Sequence, residues 1–147
     1  MSEVHEQKII EKLLAVDDYA ELDVRVSDTD LMSVVHSNIY VNYFDEGFIS
    51  FTAKMNKHCG ELHKQGIVFP VRKIEIEYLQ SATFGDVIVI NTRILNVGNK
   101  SLTLSMDCYK NKKSDETLLV KGKIVRLIMD LNKNELIKVT DFFNDIV

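Results

Sequence analysis

The 147-residue sequence predicts an α+β domain: a long central helix wrapped by a curved antiparallel sheet of about five strands, with an extra helix at the N-terminus. Three observations predict it. The hydrophobic period is helical at the start, switches to two near Ala20, returns to helical over residues 38 to 57, and then alternates nearly to the end. The connections between the later apolar runs are short and rich in Gly, Asn and Asp, which favours antiparallel neighbours. The apolar stripe of the middle segment is wide enough to lie against a sheet.

The elements follow in order. Val4 to Val16 reads as a short helix, with Ile9, Ile10, Leu13 and Leu14 on one face and Glu3, Glu6 and Glu11 in its early turns. The Asp17-Asp18 pair is expected to end it. Ala20, Leu22, Val24 and Val26 then alternate with Glu21, Asp23, Arg25 and Ser27, as in a half-buried strand. In the long helix Tyr40, Phe44, Phe48, Phe51 and Met55 form one stripe. Ser37 is the expected N-cap and Cys59-Gly60 the expected stop. Four strands follow: Lys73 to Tyr78, Val87 to Val97, Leu102 to Cys108, and Leu118 to Leu131. Turn signals separate them at Phe84-Gly85-Asp86, Gly98-Asn99, Asn111 to Asp115 and Asn132 to Asn134. Val139 to Ile146 reads as a brief closing helix. The chain is expected to be one domain, residues 1–147, with a core from about 20 to 143 and a helical extension over 1–18. The outer face and edges of such a sheet favour oligomerisation.

Composition narrows the function. Hydrophobic residues make up 46% and charged residues 27%, as in an ordinary globular protein. A net charge of -4 without a basic cluster argues against a nucleic-acid surface. No apolar run approaches membrane-spanning length, and the charged N-terminus lacks a signal-peptide core, so the expected location is cytoplasmic. Cys59 and Cys108, the two cysteines, are expected to be reduced thiols.

The stretch from Asp28 to Tyr40 is the most suggestive. Two acids, Asp28 and Asp30, leave a strand, an apolar turn follows, and a helix begins. A helix start offers unpaired N–H groups and partial positive charge, which can hold an oxyanion while a nearby carboxylate does nucleophilic or proton-transfer work. Asp28 is expected to hold the turn through backbone N–H groups. His36 either hydrogen-bonds substrate or Asp30, or is an ordinary loop histidine. Tyr40 reads as a core residue whose hydroxyl finds a partner. His58-Cys59-Gly60-Glu61-Leu62-His63 carries metal-capable groups at a spacing that matches no common zinc pattern, so no metal site is expected. There is no glycine-rich phosphate loop and no Gly-x-Ser-x-Gly elbow.

The run Arg25-Val26-Ser27-Asp28-Thr29-Asp30-Leu31-Met32-Ser33-Val34-Val35-His36-Ser37-Asn38-Ile39-Tyr40 through Glu46 resembles the 4-hydroxybenzoyl-CoA thioesterase family of hotdog-fold proteins. Ile74 to Asp86 resembles that family's second-strand signature, and the similarity runs from about Ala20 to about Phe143. The resemblance implies hydrolysis of an acyl-CoA thioester, with coenzyme A as part of the substrate and no separate cofactor. It implies that Asp30 is the catalytic carboxylate, attacking directly or activating water. It places the oxyanion donor at the backbone N–H of Ser37, with Asn38 next to it. Asn38, Tyr40, Lys100 and Ser101 are the implied substrate-binding positions, Lys100 matching a basic position near the nucleotide. Tyr43, Phe48 and Phe69 are candidates for the acyl pocket. The resemblance also implies a homodimer or homotetramer, paired edge to edge, with the site at the shared interface.

Four departures stand out. Val26 replaces a common tyrosine, Ser37 replaces a common histidine, His36 falls one residue early, and Ser33 replaces the turn glycine. A positive φ at Ser33 would carry a cost. The altered motif keeps a non-catalytic module binding acyl-CoA or acyl-carrier protein as an alternative, and His36 keeps open a hotdog dehydratase.

Overall fold

The computed structural model describes residues 2–147. Helix α1 (Glu3–Ala15) is capped by the Ser2 hydroxyl, which accepts the His5 N–H at 3.1 Å. Its Ile9 and Leu13 enter the core fully buried, against β4 (Val87–Val97) and the closing helix α4 (Val139–Phe142). Lys138 donates to Glu6 at 2.5 Å, and this ammonium holds the Glu6 carboxyl below its usual range.

Strand β1 (Asp17–Asp23) begins on the two acids expected to end the helix. The reason is tertiary. The Asn91 amide donates to Asp17 Oδ1 at 2.6 Å and Ser50 Oγ donates to Asp18 Oδ2 at 2.8 Å, so both carboxylates gain partners from the sheet and the long helix. The predicted alternation also stops early: Val24 is buried, but Val26 sits in a 3-10 turn over Val26–Asp28 and is 66% exposed.

Helix α2 (Ile39–Lys54) buries Tyr40, Phe44, Phe48 and Phe51 as predicted, together with Tyr43, Gly47 and Thr52. It ends at Met55 and at Asn56, whose φ is 61°. Cys59-Gly60 is therefore not its stop. These residues open a separate helix, α3 (Cys59–Lys64), which reverses the chain into β2 (Ile67–Val68).

Strands β3 (Val71–Tyr78), β4, β5 (Ser101–Lys110) and β6 (Leu118–Leu127) complete a five-stranded antiparallel sheet in the order β1-β4-β5-β6-β3. The predicted last strand is broken at Ile128. Its end, β7 (Met129–Asp130), pairs with β2 and β8 (Glu135–Leu136) in a second small sheet.

Alternation places Leu102, Leu104, Met106, Cys108, Val120 and Ile124 on the face that cradles α2. Two glycines set how closely they meet. A Cβ on Gly122 would lie 2.6 Å from Phe44 Cζ and 2.7 Å from the Met106 carbonyl oxygen, and one on Gly47 would lie 2.6 Å from Ile90 Cγ2. The expected result of Gly122→Ala is a loss of about 1–3 kcal/mol, because a backbone oxygen cannot move aside. Urea denaturation checks it, and an unchanged midpoint would mean that the helix can lift from the sheet without penalty.

Candidate active site

The site is built by the connection from β1 to α2. Val24 N–H donates to the Asp86 carbonyl at 3.0 Å, which anchors the strand exit to the β3–β4 connection. The next turn folds around Asp28. Its Oδ2 accepts the Arg25 N–H at 2.9 Å and the Tyr43 hydroxyl at 3.0 Å, and the side chain is almost wholly buried. Its carbonyl accepts the His36 N–H at 2.9 Å. Burial, reinforced by the Asp28 carboxylate, pushes the Tyr43 hydroxyl far above its usual pKa and keeps it a donor.

Asp30 lies at the tip. Its N–H donates to the Val34 carbonyl at 2.8 Å, and its own carbonyl accepts the Ser33 N–H at 3.0 Å, closing a tight turn. Its Oδ1 accepts the Met32 N–H at 2.7 Å, while Oδ2 bonds to none of the described residues. One oxygen thus fixes the carboxylate and the other stays available.

The turn holds Ser33 at φ 65°, in the left-handed region. The expected result of Ser33→Gly is stabilisation by roughly 1 kcal/mol, since glycine takes this conformation without the Cβ penalty. Thermal melting checks it; a lower melting temperature would mean that the serine side chain contributes more than its strain costs.

Three tyrosines hold the helix start against the sheet. The Tyr78 hydroxyl donates to the Ser37 carbonyl at 2.9 Å, and Tyr40 Oη accepts the Ala82 N–H at 3.3 Å. The Tyr40 ring meets those of Tyr43 and Tyr78 edge-on, at 5.5 and 6.0 Å. Tyr40 is 2% exposed, so it stands inside the core behind the site and its ring does not reach the surface. Tyr43, a candidate pocket residue by sequence, is likewise buried. Neither the Tyr43–Asp28 bond nor Tyr78 was visible in sequence. The one available signal was that buried tyrosine hydroxyls need partners.

Ser37 is not the N-cap. Residue 38 takes that place with helical dihedrals, and its side chain caps nothing. The N–H groups of Ser37 and Asn38 donate to none of the described residues. His36, exposed, shares with Asp30 a shallow depression of about 520 Å³. Exposed Val26, Leu31 and Met32 rim it, an apolar patch that a folded chain rarely leaves bare.

Lys100 and Ser101 are not brought to this depression within the chain. Asp23 pairs with Val87 at one end of β4, and Lys100 follows Val97 at the other, about 30 Å along an eleven-residue strand. On α3 the Cys59 thiol lies 3.3 Å from the Thr52 hydroxyl, and both cysteines are free thiols. Among the described residues no three His, Cys, Asp or Glu side chains converge as a metal site would require, and no helix is long and apolar enough to cross a membrane.

Comparison with known proteins agrees with this architecture. The chain is 27% identical over 74 residues to the provisionally named acyl-CoA thioesterase YneP of Bacillus subtilis (strain 168), a match covering 50% of this chain and 54% of that protein. It thus spans about half the length of the curated relative it matches. A DHNA-CoA thioesterase from Staphylococcus aureus superposes with a TM-score of 0.78 at 19% identity, covering 88% of this chain and 85% of that one. The 4-hydroxybenzoyl-CoA thioesterase of Pseudomonas sp. strain CBS-3 superposes with a TM-score of 0.76 at 17% identity, covering 90% of this chain and 100% of that one. At these identities the likeness establishes the fold, a hotdog whose helical filling is α2. Residues 24–146 match the family model of the thioesterase-like superfamily, and the chain belongs to that superfamily.

Proposed function

We propose that the chain hydrolyses acyl-CoA thioesters, with Asp30 as the nucleophile or general base and the N–H groups of Ser37 and Asn38 as oxyanion donors. The observation that carries the reading is the Asp30 carboxylate, fixed by one oxygen and free at the other, in a depression shared with His36, which directly precedes Ser37 and Asn38, whose N–H groups donate to none of the described residues. The superfamily and the thioesterase names of the relatives support it.

The chemistry is balanced either way. In water-mediated attack Asp30 takes a proton from water as the C–O bond forms, the N–H groups hold the carbonyl oxygen as an oxyanion, and collapse expels the coenzyme A thiolate, which is then protonated. In direct attack Oδ2 forms a mixed anhydride with loss of the same thiolate, and water then cleaves the anhydride. His36, at the rim of the depression, is a substrate contact in this reading. We place the working form as a homodimer, because β3 is an unpaired sheet edge with Val71, Ile74 and Tyr78 exposed along it.

The direct test is thiol release from a panel of short, long and aromatic acyl-CoAs. Release with any member upholds the reading. Tight acyl-CoA binding without release, by a folded oligomer, would replace it with a binding module. An enoyl product from a hydroxyacyl thioester would replace it with a dehydratase.

A further inference from the structure

The N–H groups of Ser37 and Asn38 are held in different ways. An amide N–H shares its peptide unit with the carbonyl of the residue before it. A bond accepted by that carbonyl polarises the unit and makes its N–H a stronger donor. The Ser37 N–H shares its unit with the His36 carbonyl, which accepts the Ile39 N–H at 3.0 Å. That bond is local and comes with the turn into α2. The Asn38 N–H shares its unit with the Ser37 carbonyl. In a continuous helix this carbonyl would accept the Val41 N–H, four residues on. The Val41 N–H goes instead to the Asn38 carbonyl at 3.2 Å, the tighter closure common at helix ends. The Ser37 carbonyl accepts the Tyr78 hydroxyl at 2.9 Å, from the last residue of β3.

The hydroxyl that makes this bond is fixed from both sides. Tyr78 pairs with Val120 of β6, so its backbone belongs to the sheet. Its ring meets buried Tyr40, in the first turn of α2, edge-on at 6.0 Å. A planar trans peptide points its C=O and its N–H in opposite directions. Holding the Ser37 carbonyl toward Tyr78 therefore also fixes the direction of the Asn38 N–H, away from the tyrosine. Water could replace the hydroxyl as a donor, but not its fixed position, and an oxyanion donor is effective because it is oriented before the charge develops.

We propose that Tyr78 is a positioning residue for thioester hydrolysis: by donating to the Ser37 carbonyl, its hydroxyl orients and strengthens the Asn38 N–H as an oxyanion donor. Its role in hydrolysis rests on the thioesterase reading; its hold on the Asn38 amide does not. The oxyanion forms only after attack on the carbonyl, so Tyr78 acts on turnover and not on the binding of substrate.

Two experiments test it, both on Tyr78→Phe, which keeps the ring against Tyr40 and removes the hydroxyl alone. In steady-state thiol release, kcat is expected to fall about five- to tenfold at nearly constant KM, short of the roughly 10²–10³ that losing an oxyanion donor outright costs. A thioether analogue, with a methylene in place of the carbonyl, forms no oxyanion and is expected to bind wild type and variant alike. An unchanged kcat overturns the proposal. So does a joint loss of analogue affinity, KM and melting temperature, which would make Tyr78 a brace of the fold. The second experiment reads the donor without substrate, in the amide spectrum of uniformly ¹⁵N-labelled protein. The Asn38 amide nitrogen and proton are expected to move upfield in the variant, because the unit loses its polarising bond, while those of Ser37, polarised through Ile39, stay in place. No movement at Asn38, or equal movement at both, overturns the hold on the amide. Should the wild type release no thiol at all, the thioesterase reading fails, and the amide spectrum alone upholds or overturns the hold of Tyr78 on Asn38.

Discussion

Asp30→Asn is expected to lower thiol release by about two to four orders of magnitude, the range associated with losing a general base. The substitution is unusually clean here. Asparagine keeps an oxygen to accept the 2.7 Å bond from the Met32 N–H, so the turn retains its acceptor while the charge and basicity of the second oxygen disappear. Asp30→Ala would remove both and confuse folding with chemistry. Steady-state release on the best acyl-CoA of the panel, with circular dichroism to confirm the fold, makes the measurement. Near-wild-type turnover would reduce Asp30 to a turn acceptor.

Asp28→Ala is expected to have the largest effect on stability, about 2–4 kcal/mol, because it leaves a buried tyrosine hydroxyl and a backbone N–H without acceptors. For a chain of this size that lowers the melting temperature by roughly 5–15 °C. The buried carboxylate accepts from Arg25 and Tyr43 and does not line the Asp30 depression, so it is expected to act as a positioning residue. Asp28→Asn retains an acceptor and is expected to recover most of both stability and turnover, whereas Asp30→Asn recovers stability alone. Turnover lost in Asp28→Asn with an unchanged melting temperature would move the chemistry to Asp28.

Much of the fold was legible because its signals are local. Val87 to Val97 is a strand at the predicted bounds, since a β-branched run between turn signals has few other options. The α2 stripe from Tyr40 to Phe51 needed only the helical period. The two-residue strands β2, β7 and β8 are too short to show any period. Asp17-Asp18 resembles a helix terminator until Asn91 and Ser50 approach from distant elements. Cys59-Gly60 resembles a helix stop because glycine tolerates many conformations and the sequence cannot say which one a given site requires. Gly122 appears ordinary in sequence; its necessity comes from a phenyl ring contributed 78 positions earlier, at Phe44.

The candidate site divides in the same way. The residues of the turn itself, Asp28 through Asn38, were readable together because they are neighbours in the chain. What supports them was not: the Tyr43 and Tyr78 hydroxyls donate to Asp28 and to the Ser37 carbonyl, and the Ala82 carbonyl accepts the Val35 N–H, bonds between residues 15 to 47 positions apart. Lys100 and Ser101 show the opposite case, residues linked to the site by resemblance alone that strand length holds about 30 Å away within the chain. The sequence by itself determined the order of the long elements, the amphipathic helix and the acidic turn before it, because periodicity and turn chemistry act over a few residues. Only the tertiary structure decided which Asp30 oxygen is free, which carboxylate is buried and which two strands form the edges of the sheet. Those depend on register and packing between segments far apart in the chain, and no local pattern encodes them.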